Sequence, residues 1–527
     1  MLGLPPASQG IPARYAARGR ESILDRKDDP VSGDVKLGIT AYGGYVPRRR
    51  LSRSAIVAAN AWFNPSLNAL AAGQRAICNW DEDPLTMAVE AVRDCLSGEV
   101  VAGVDTLMLA STTLPFLERH NAGVVRAALA LPEHMMTLDI TASQRAGTSA
   151  LIAALQARRG RAGGSVVVAA EQRRTKTAST QELSYGDAAA ALVVAETDAP
   201  IAVFLGAHQV AVDFVDRYRG QLESFDYQWE ERWVRDEGHL KILPPGLRGL
   251  CAAAGIDAAN IDRLLIPIGR GAALAVAKAI GARPESVCDD LAEVMGDSGV
   301  AHPLVMLAHE LERARPGEII VVAGWGQGCD ALAFRVTDAA TRRRPARGIG
   351  RSLARGVADS NYVRYLAFNR LIVQEQGMRA EADRQTALSA FYRHRDMVTA
   401  LVGGRCARCG TPQFPAAGVC VNPECRARGD QAPYRFADVP ARVQSWTADN
   451  LTYCPDPPQY FGMVVFEGGG RMMVDFTDVE REALATGAPA RMVFRVKERD
   501  LRRGFVKYFW KAVPGEPRAE VDGGERH

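Results

Sequence analysis

The sequence lacks any apolar run close to the ~20 residues that a membrane-spanning helix needs. Its first residues, Met1-Leu-Gly-Leu-Pro-Pro, lack the apolar core of a signal peptide. It also has little excess charge, because +3 over 527 residues does not indicate a nucleic-acid binder. Six of the ten cysteines are scattered, without the framework of a disulfide-stabilised protein. These absences predict a cytoplasmic protein that binds neither a membrane nor a nucleic acid.

A dinucleotide-binding unit is missing as well. Gly324, Gly326 and Gly328 resemble such a fingerprint only superficially, because no strand–GxGxxG–helix unit with a later ribose-binding acid surrounds them. NAD binding is therefore rejected.

Four cysteines are the clearest feature that the sequence does contain. Cys406 and Cys409 form one close pair, Cys420 and Cys425 form a second, and a ten-residue loop separates them. This spacing can place four thiolates tetrahedrally around one Zn²⁺. The alternative is a set of unliganded cysteines on a surface loop. Because four thiolates leave no coordination position for water, we expect a structural zinc ion and seek the chemistry elsewhere.

The order of apolar segments predicts several domains. Roughly three or four domain-sized units are expected for this length. From residue 36 to 337, strands such as Val104–Ser111 alternate with helices such as Pro84–Leu96, which predicts α/β layers around a mainly parallel sheet. After Tyr434, five short strands predict a small closed barrel of the OB type. The predicted units are a flexible arm (1–35), a first α/β half (36–200), a second α/β half (201–337), a basic linker (338–360), a helical connector (361–400), the zinc ribbon (401–432), the OB-fold (433–515) and a tail (516–527).

Two basic stretches have more than one interpretation. The run from Arg342 to Arg355 is interpreted as a solvated linker in preference to a polyanion site. It leads to two predicted helices, Tyr362–Gln376 and Ala380–Ala400. The barrel carries a second basic cluster, Arg499, Arg502, Arg503 and Lys507. Nucleic acid, a CoA phosphate and plain solvation are the candidate roles of that cluster, and solvation is preferred.

Five motifs between residues 36 and 337 resemble, in the right order, those of HMG-CoA synthases and ketoacyl-synthase-III-like enzymes of the thiolase superfamily. The motifs are Gly38-Ile-Thr-Ala-Tyr-Gly-Gly-Tyr, Asn79-Trp-Asp-Glu-Asp-Pro, Asp139-Ile-Thr-Ala-Ser-Gln-Arg, Gly296-Asp-Ser-Gly-Val-Ala-His-Pro and Gly324-Trp-Gly-Gln-Gly-Cys-Asp. The resemblance implies a duplicated thiolase-like fold of layered α/β halves. It also implies at least a homodimer that joins the edges of two sheets.

Residues 361–512 resemble a second family, a zinc ribbon fused to an OB barrel. That family accompanies thiolase-like proteins and is thought to bind acyl-CoA or to stabilise its partner. The resemblance is carried by Cys-Ala-Arg-Cys-Gly-Thr-Pro-Gln-Phe-Pro, which starts at Cys406.

In the resembled thiolase family, a cysteine captures the acyl group, a histidine and an asparagine polarise a thioester carbonyl, and a glutamate moves a proton. Glu82 matches the glutamate, and we expect Asp81 and Asp83 to raise its pKa by like-charge repulsion, which suits a general base. The alternative is an acidic first turn that stabilises the helix starting at Pro84.

The other catalytic positions depart from the family pattern. The nucleophile position holds Gln144, whose amide excludes acyl-enzyme chemistry, and no base is evident for the adjacent Ser143. The histidine position holds Ile266, for which Arg270 is a candidate cationic substitute. The asparagine position holds Asp297.

Further residues are candidates for the missing functions. His302 is a candidate general acid–base, with a structural histidine as the alternative. Backbone N–H groups near Gly326 and Gly328 are candidates to bind substrate oxygen. Cys78 and Cys329 are candidate nucleophiles, with packed, inert thiols preferred.

Three functions compete. The first is an enzyme that makes or breaks a C–C bond beside a CoA or carrier-protein thioester, by aldol, retro-aldol or acyl-transfer chemistry, with Glu82 as base. The second is a non-catalytic acyl-CoA-binding scaffold that pairs with an active thiolase-like subunit. The third is a decarboxylating ketosynthase, since related synthases with glutamine at the position of Gln144 are decarboxylases.

Overall fold

The computed structural model describes residues 35–97, 103–378 and 387–515. All but the last residue of the predicted N-terminal arm, and the whole predicted tail, lie outside the described residues.

Numbered in chain order, the strands are β1 Lys36–Tyr45, β2 Arg49–Ser52, β3 Gln74–Ile77, β4 Val104–Ala110, β5 Met136–Ile140, β6 Gly164–Glu171, β7 Ala188–Thr197, β8 Ala202–Ala211, β9 Arg217–Tyr218, β10 Tyr227–Gln228, β11 Arg263–Leu265, β12 Ile319–Trp325, β13 Gly328–Val336, β14 Val357–Asp359, β15 Val402–Cys406, β16 Pro412–Gln413, β17 Gln431–Arg435, β18 Ala441–Asp449, β19 Gln459–Phe466, β20 Arg471–Asp475, β21 Pro489–Asp500 and β22 Phe505–Pro514. The α-helices are α1 Arg53–Asn60, α2 Pro84–Cys95, α3 Asn121–Ala128, α4 Ala146–Arg158, α5 Thr180–Ser184, α6 Glu231–Trp233, α7 Leu240–Ala254, α8 Arg270–Ile280, α9 His302–Leu311, α10 Gly348–Ala354, α11 Tyr362–Phe368, α12 Leu388–Arg393 and α13 Arg395–Ala400.

Nine strands form one large sheet in the order β11-β12-β13-β8-β1-β7-β6-β4-β5. The expectation of a mainly parallel sheet is wrong: three neighbouring pairs are parallel and five are antiparallel. The hairpin between β12 and β13 shows the reason, since only Gly326 and Gln327 connect the two strands. A parallel pair needs a crossover of a dozen or more residues.

Helices cover both faces of this sheet. Two of them, α4 and α9, lie between the strands of the first and the second α/β half. Helices α4 and α9 share one buried apolar core with residues of β1, β6, β7 and β12. The central strands β6 and β7 are almost wholly buried, so their sequences are near-continuous apolar runs rather than alternating ones. The N-terminus of α4, which directly follows the motif that contains Gln144, thus lies in the interior between the two α/β halves.

The segment predicted as a solvated basic linker is folded onto the first half. It contains α10 and β14, and Ile349 is fully buried. The Asp94 carboxylate accepts hydrogen bonds from the backbone N–H groups of Arg347 (2.7 Å) and Gly348 (2.8 Å). A buried carboxylate with backbone donors fixes the start of α10.

The predicted helix Tyr362–Gln376 is shorter than expected, because α11 ends at Phe368. Arg370 adopts a positive φ of 58°, and a left-handed residue just after a helix ends it. The predicted helix Ala380–Ala400 is described only from residue 387 onward, where it forms the two short helices α12 and α13.

The C-terminal residues form a three-stranded ribbon and a barrel. The ribbon sheet has the order β16-β15-β17, and the barrel sheet has the order β20-β19-β18-β21-β22. A β-bridge between Phe476, which directly follows β20, and Ala512 of β22 links the two edge strands of this sheet. The five predicted strands are therefore all present and nearly closed into a barrel.

The barrel packs directly on α2 of the first half. Apolar residues of α2 and the barrel interior form one continuous core that includes the fully buried Trp510. The Arg93 guanidinium lies 5.0 Å from the Trp510 ring centroid and donates hydrogen bonds to the carbonyls of Ala437 and Met492. Because helix α2 is buried on all sides, its orientation depends on the barrel.

One buried carboxylate should make a large contribution to this interface. Glu90 is fully buried and pairs with Arg93 at 2.6 Å, Arg491 at 2.7 Å and Arg347 at 3.6 Å. Burial alone would raise the pKa of Glu90, but the three guanidinium groups hold it well below its usual range. We expect Glu90→Gln to lower the free energy of unfolding by about 3–5 kcal/mol, because it leaves buried cations without their counter-charge. Urea unfolding measures the loss, and Glu118→Gln at an exposed site is the matched control with an unchanged midpoint.

Candidate functional site

The acidic motif lies at the start of α2, beneath the OB barrel. Asp83 is the N-cap of α2, and it forms a capping box with Thr86. Asp81, Glu82 and Asp83 are 0%, 2% and 2% exposed. Asp83 therefore stabilises the start of α2 as its N-cap, and Glu82 takes no part in the capping box.

Glu82 has a complete set of hydrogen-bond donors. Its Oε1 accepts a hydrogen bond from the Tyr45 hydroxyl and lies 3.1 Å from Nη2 of Arg495. Its Oε2 accepts from the Asn79 backbone N–H at 2.8 Å. Tyr45 belongs to β1, and Arg495 belongs to β21 of the barrel, so three distant parts of the chain meet at this carboxylate.

Burial raises the pKa of Glu82 to about 7, although Arg495 opposes the rise. The direction is the one expected from the sequence. Its main cause is burial rather than the flanking aspartates, of which Asp81 contributes a smaller increase. A carboxyl group with a pKa near neutrality can both accept and return a proton at physiological pH.

A cleft of about 1090 Å³ separates the barrel from the first α/β half and opens next to the acidic motif. We call it the interdomain cleft; its walls include Trp80, Arg370, Phe476, Arg499 and Lys511. Asn79 also lines the cleft, and its backbone N–H donates a hydrogen bond to Glu82. The cleft is therefore a ligand-sized space that is separated from the candidate base by Asn79.

Gln144 lies at the turn that leads into α4, two residues after Ala142, which has a positive φ of 68°. Gly326 lies against it, and a Cβ on Gly326 would stand 2.9 Å from the Gln144 Cβ. The structure thus brings Gln144 and Gly326 together. The Gln144 Oε1 atom is buried and has no hydrogen-bond partner among the described residues, which is uncommon for a buried polar atom.

The two glycines proposed to bind substrate oxygen have other tasks. The Gly326 N–H donates to the Gly328 carbonyl at 3.3 Å, so it is not free for an oxyanion. A Cβ on Gly328 would stand 2.0 Å from the Val210 carbonyl oxygen, so this glycine permits the close pairing of β13 with β8. Among the described residues, neither the Ser143 N–H nor the Gln144 N–H at this turn has a hydrogen-bond acceptor.

His302 has no free ring nitrogen. Its Nδ1 accepts from the Ser298 N–H at 3.0 Å, and its Nε2 is 2.6 Å from the Asp290 carbonyl, to which it donates. The side chain is 2% exposed. Both bonds are satisfied by the neutral ring, so this geometry fits the structural alternative rather than a general acid–base.

Asp297, at the asparagine position, is tied to its surroundings. Its carboxylate accepts from the Gly299 N–H at 2.7 Å and lies 3.4 Å from Nη1 of Arg217. Burial would raise the pKa of Asp297, but the Arg217 and Arg173 guanidinium groups keep it below the usual value. Asp297 is therefore a fixed carboxylate rather than an amide-like donor.

Ile266 and Arg270 lie on different sides of their loop. Ile266 is 2% exposed within an apolar cluster that contains Trp325. Arg270 is exposed at the first residue of α8 and forms no ion pair among the residues that the structure describes. The structure gives no contact that would make Arg270 a substitute for the missing histidine.

The two candidate nucleophilic thiols are buried. Burial raises the pKa of Cys78 well above its usual value, and burial raises the pKa of Cys329 to about 12. A thiol in this state holds no thiolate near neutrality. Both cysteines thus match the packed, inert alternative.

An arginine lattice that the sequence did not reveal lies beside the Asp297 loop; we define it as Arg173, Arg219 and Asp226. Asp226 pairs with Arg173 and, at 2.9 Å, with Arg219. The Arg173 guanidinium lies 4.3 Å from the Tyr185 ring centroid, and its Nε and Nη1 atoms are buried without a partner in the described residues. The only sequence signal was the charged run that directly follows the buried strand β6.

The four ribbon cysteines converge as predicted. Their Sγ atoms all lie within 4.8 Å of one another, with Cys406 to Cys425 at 3.9 Å and Cys409 to Cys420 at 3.6 Å. Zn–S bonds of about 2.3 Å in a tetrahedron require S–S separations of about 3.8 Å. The four thiols therefore fit one Zn²⁺ with a closed coordination shell. All ten cysteines are free of disulfide bonds.

Comparison with protein families identifies the two C-terminal units. Residues 400–430 match the family model described as "ChsH2, rubredoxin-like zinc ribbon domain". Residues 434–495 match the model described as "ChsH2, C-terminal OB-fold domain". The predicted zinc ribbon and OB-fold are confirmed.

The N-terminal region is similar to curated archaeal proteins named hydroxymethylglutaryl-CoA synthase. The Aeropyrum pernix protein is 27% identical over 319 residues, which cover 59% of this chain and 88% of the relative. The Caldivirga maquilingensis protein is 26% identical over 357 residues, which cover 65% of this chain and 100% of the relative.

Solved structures agree on the fold. A crystal structure of HMG-CoA synthase complexed with CoA has a TM-score of 0.54 at 15% identity and covers 67% of this chain and 95% of its own. Pseudomonas aeruginosa 3-oxoacyl-(acyl carrier protein) synthase III, FabH, has a TM-score of 0.51 at 20% identity and covers 57% and 99%. Within the described ranges, no helix combines the length and apolarity needed to cross a membrane. The chain therefore joins an HMG-CoA synthase-like region of thiolase/FabH fold to a ChsH2-type zinc ribbon and OB-fold.

Proposed function

We propose that this protein is an acyl-CoA-handling enzyme that makes or breaks a C–C bond beside a thioester, without an acyl-cysteine. The observation that carries the proposal is the buried Glu82 carboxyl, with a pKa raised to about 7 by burial, next to a ligand-sized cleft. Aldol and retro-aldol steps need a base and a donor for the enolate oxygen but no covalent nucleophile. Gln144 makes such chemistry preferable to acyl transfer through an acyl-enzyme.

The retro-aldol direction illustrates the roles. The Glu82 carboxylate takes the hydroxyl proton of a 3-hydroxyacyl thioester, the C2–C3 bond breaks, and C3 becomes a carbonyl. The electron pair of that bond forms the thioester enolate, and the protonated Glu82 then returns the proton to C2. The Gln144 N–H is the candidate donor to the enolate oxygen, which requires the acyl end of the substrate to extend beyond the interdomain cleft to the start of α4.

The interdomain cleft is the proposed CoA site. Arg499 donates a hydrogen bond to the Glu82 carbonyl at 3.3 Å but has no carboxylate partner in the described residues. Arg370 also lines the cleft, and burial, with the charges of Arg499 and Arg174, lowers its pKa to about 10. Two cations that form no ion pair with a carboxylate of the described residues favour an anionic ligand such as the CoA phosphates.

Arg499→Ala is expected to weaken CoA binding roughly tenfold, or about 1.4 kcal/mol, because one phosphate loses its cationic partner. Isothermal titration calorimetry measures the affinity at low and high salt, where the salt dependence should also fall. Arg502→Ala, at an exposed position of the adjacent turn, is the matched control. Equal losses in both variants, or equal losses for CoA and for phosphate-free pantetheine, contradict the placement.

The reaction class is tested by incubating the protein with a panel of acyl-CoA and 3-hydroxyacyl-CoA thioesters and analysing the products by mass spectrometry. A pair of products related by C–C cleavage or joining supports the proposal. A panel that is unchanged, with and without aldehyde or ketone acceptors, argues for a binding protein.

A non-catalytic acyl-CoA-binding scaffold is the second candidate. It is favoured by close packing around the Asp297 loop and by the position of Gln144 outside both cavities. The arginine lattice lies against the loop after Asp297: a Cβ on Gly299 would stand 3.2 Å from Arg173 Nη1. Neither the interdomain cleft nor a smaller cavity of about 180 Å³ beside Asp226 is lined by Gln144. Co-purification of a stoichiometric thiolase-like subunit with an intact cysteine and histidine supports the scaffold.

A further inference from the structure

Each of the three consecutive acidic residues of the motif binds a different residue of the OB barrel. Asp81 Oδ2 is 2.8 Å from Lys511 Nζ, and Asp83 Oδ2 accepts from the Tyr508 hydroxyl at 2.6 Å. Glu82, between them, pairs with Arg495 at 3.1 Å. We call this set of three pairs the acidic clasp. A barrel that merely packed on α2 would not need three separate polar partners in consecutive positions.

We propose that the OB barrel completes the active site in cis, with Arg495 as the positioning residue that holds Glu82 ionised and correctly oriented. The inference rests on the proposed role of Glu82 as the base. It assigns the barrel a part in the chemistry, in addition to binding the ligand.

The contacts of Arg495 carry this step. The side chain is 1% exposed, and its Nη2 atom lies within reach of three oxygens: Glu82 Oε1, the Tyr45 hydroxyl at 2.9 Å and Asp478 Oδ2 at 3.1 Å. Tyr45 donates its hydroxyl proton to the same Glu82 oxygen. One guanidinium therefore fixes both the carboxylate and the phenol that orients it.

Removal of this cation leaves Glu82 among groups that disfavour its charge. The titratable and charged groups that face Glu82 are Tyr45, Arg50, Cys78, Asp81, Asp478 and Arg495. Without Arg495, the buried carboxylate keeps two acidic neighbours, Asp81 and Asp478. The remaining cations are Arg50 and Arg499, and Arg499 binds the Glu82 backbone carbonyl rather than its carboxylate. A buried acid in such surroundings takes up a proton, and a protonated Glu82 can no longer act as a base.

The other two pairs of the clasp provide matched controls. Tyr508 holds Asp83, which caps α2, and Lys511 holds Asp81, which also accepts from Thr477 at 2.9 Å. Neither contacts Glu82 directly. Tyr508→Phe removes one interdomain hydrogen bond and leaves the surroundings of the Glu82 carboxylate in place.

The test is a titration of Glu82 in the full-length protein without substrate. Infrared difference spectroscopy follows its carboxyl band, which Glu82→Gln identifies. Arg495→Met is expected to move the titration midpoint of Glu82 upward by ~1–3 pH units. Arg495→Lys should have a midpoint close to that of the parent, and Tyr508→Phe should leave the midpoint unchanged. If Arg495→Met does not fold, the comparison of Arg495→Lys with the parent decides, since a lysine at this distance should give a smaller upward shift.

The pH profile of kcat/KM provides a second readout. In Arg495→Lys and Arg495→Met, its acidic limb should follow the infrared midpoint. A midpoint that is unchanged in Arg495→Met, or that moves equally in Tyr508→Phe, overturns the inference. If the midpoint moves as expected but no acyl-CoA is converted, the electrostatic role of Arg495 stands and the proposed enzymatic function fails.

Discussion

Glu82→Gln is expected to lower kcat/KM for C–C bond cleavage or formation by roughly 10²–10⁴-fold, which is the contribution of a positioned general base. Glutamine keeps the size of the side chain and a carbonyl oxygen that can accept from Tyr45 or Asn79, but it cannot take a proton. CoA affinity should change little, because Glu82 does not line the interdomain cleft. Steady-state kinetics with the best thioester of the panel, together with calorimetry of CoA binding, separate the two effects.

The matched control is Glu118→Gln, which removes an exposed carboxylate that does not line the interdomain cleft. It should retain nearly full activity. The parent should show an acidic limb with a midpoint near pH 7, where Glu82 is half ionised, and higher activity above it. A Glu82→Gln variant with parental kcat/KM contradicts the enzymatic proposal and leaves the scaffold as the better account.

Local patterns predicted the elements well, because each depends on nearby residues. The buried runs of β6 and β7 and the alternating strands of the barrel are visible as apolar periodicity. The direction of the strands is not visible in this way. The two-residue hairpin at Gly326 makes β13 antiparallel to β12, and neither the strand composition nor its length signals that.

The acidic motif of the site was predictable from the sequence, but the barrel residues that contact it were not. Glu82 and Gln144 were identified by their place in short motifs, but Arg495 follows Glu82 by more than 400 residues and belongs to another domain. The sequence predicts that the flanking aspartates raise the pKa of Glu82. In the structure, Lys511 and Tyr508 of the barrel bind these aspartates, and burial is the largest cause of the raised pKa. His302 shows the same limit, since only the fold reveals that backbone groups occupy both ring nitrogens.

Removal of Zn²⁺ is expected to unfold the ribbon, from about residue 402 to 435, while the α/β halves keep their structure. The ribbon has a small core of its own, in which Cys406 and Cys420 are themselves among the buried members. A segment this small depends on its metal, for which apparent binding free energies of about 10–16 kcal/mol are typical. Hydrogen exchange before and after chelation, with zinc content measured in parallel, should show loss of protection in β15, β16 and β17.

Cys409→Ser and Cys420→Ser should reproduce the effect of chelation, because each removes one of four ligands. Cys251→Ser is the matched control, since this thiol lies on α7, outside both the ribbon and the interdomain cleft. Leu401, directly before β15, packs in the core shared by the barrel and α2, so loss of the ribbon should also loosen the docking of the barrel. Arg495 would then hold Glu82 less firmly, and CoA binding should weaken together with zinc loss. Full ribbon protection in a zinc-free protein would show instead that the four thiols are packed without a metal.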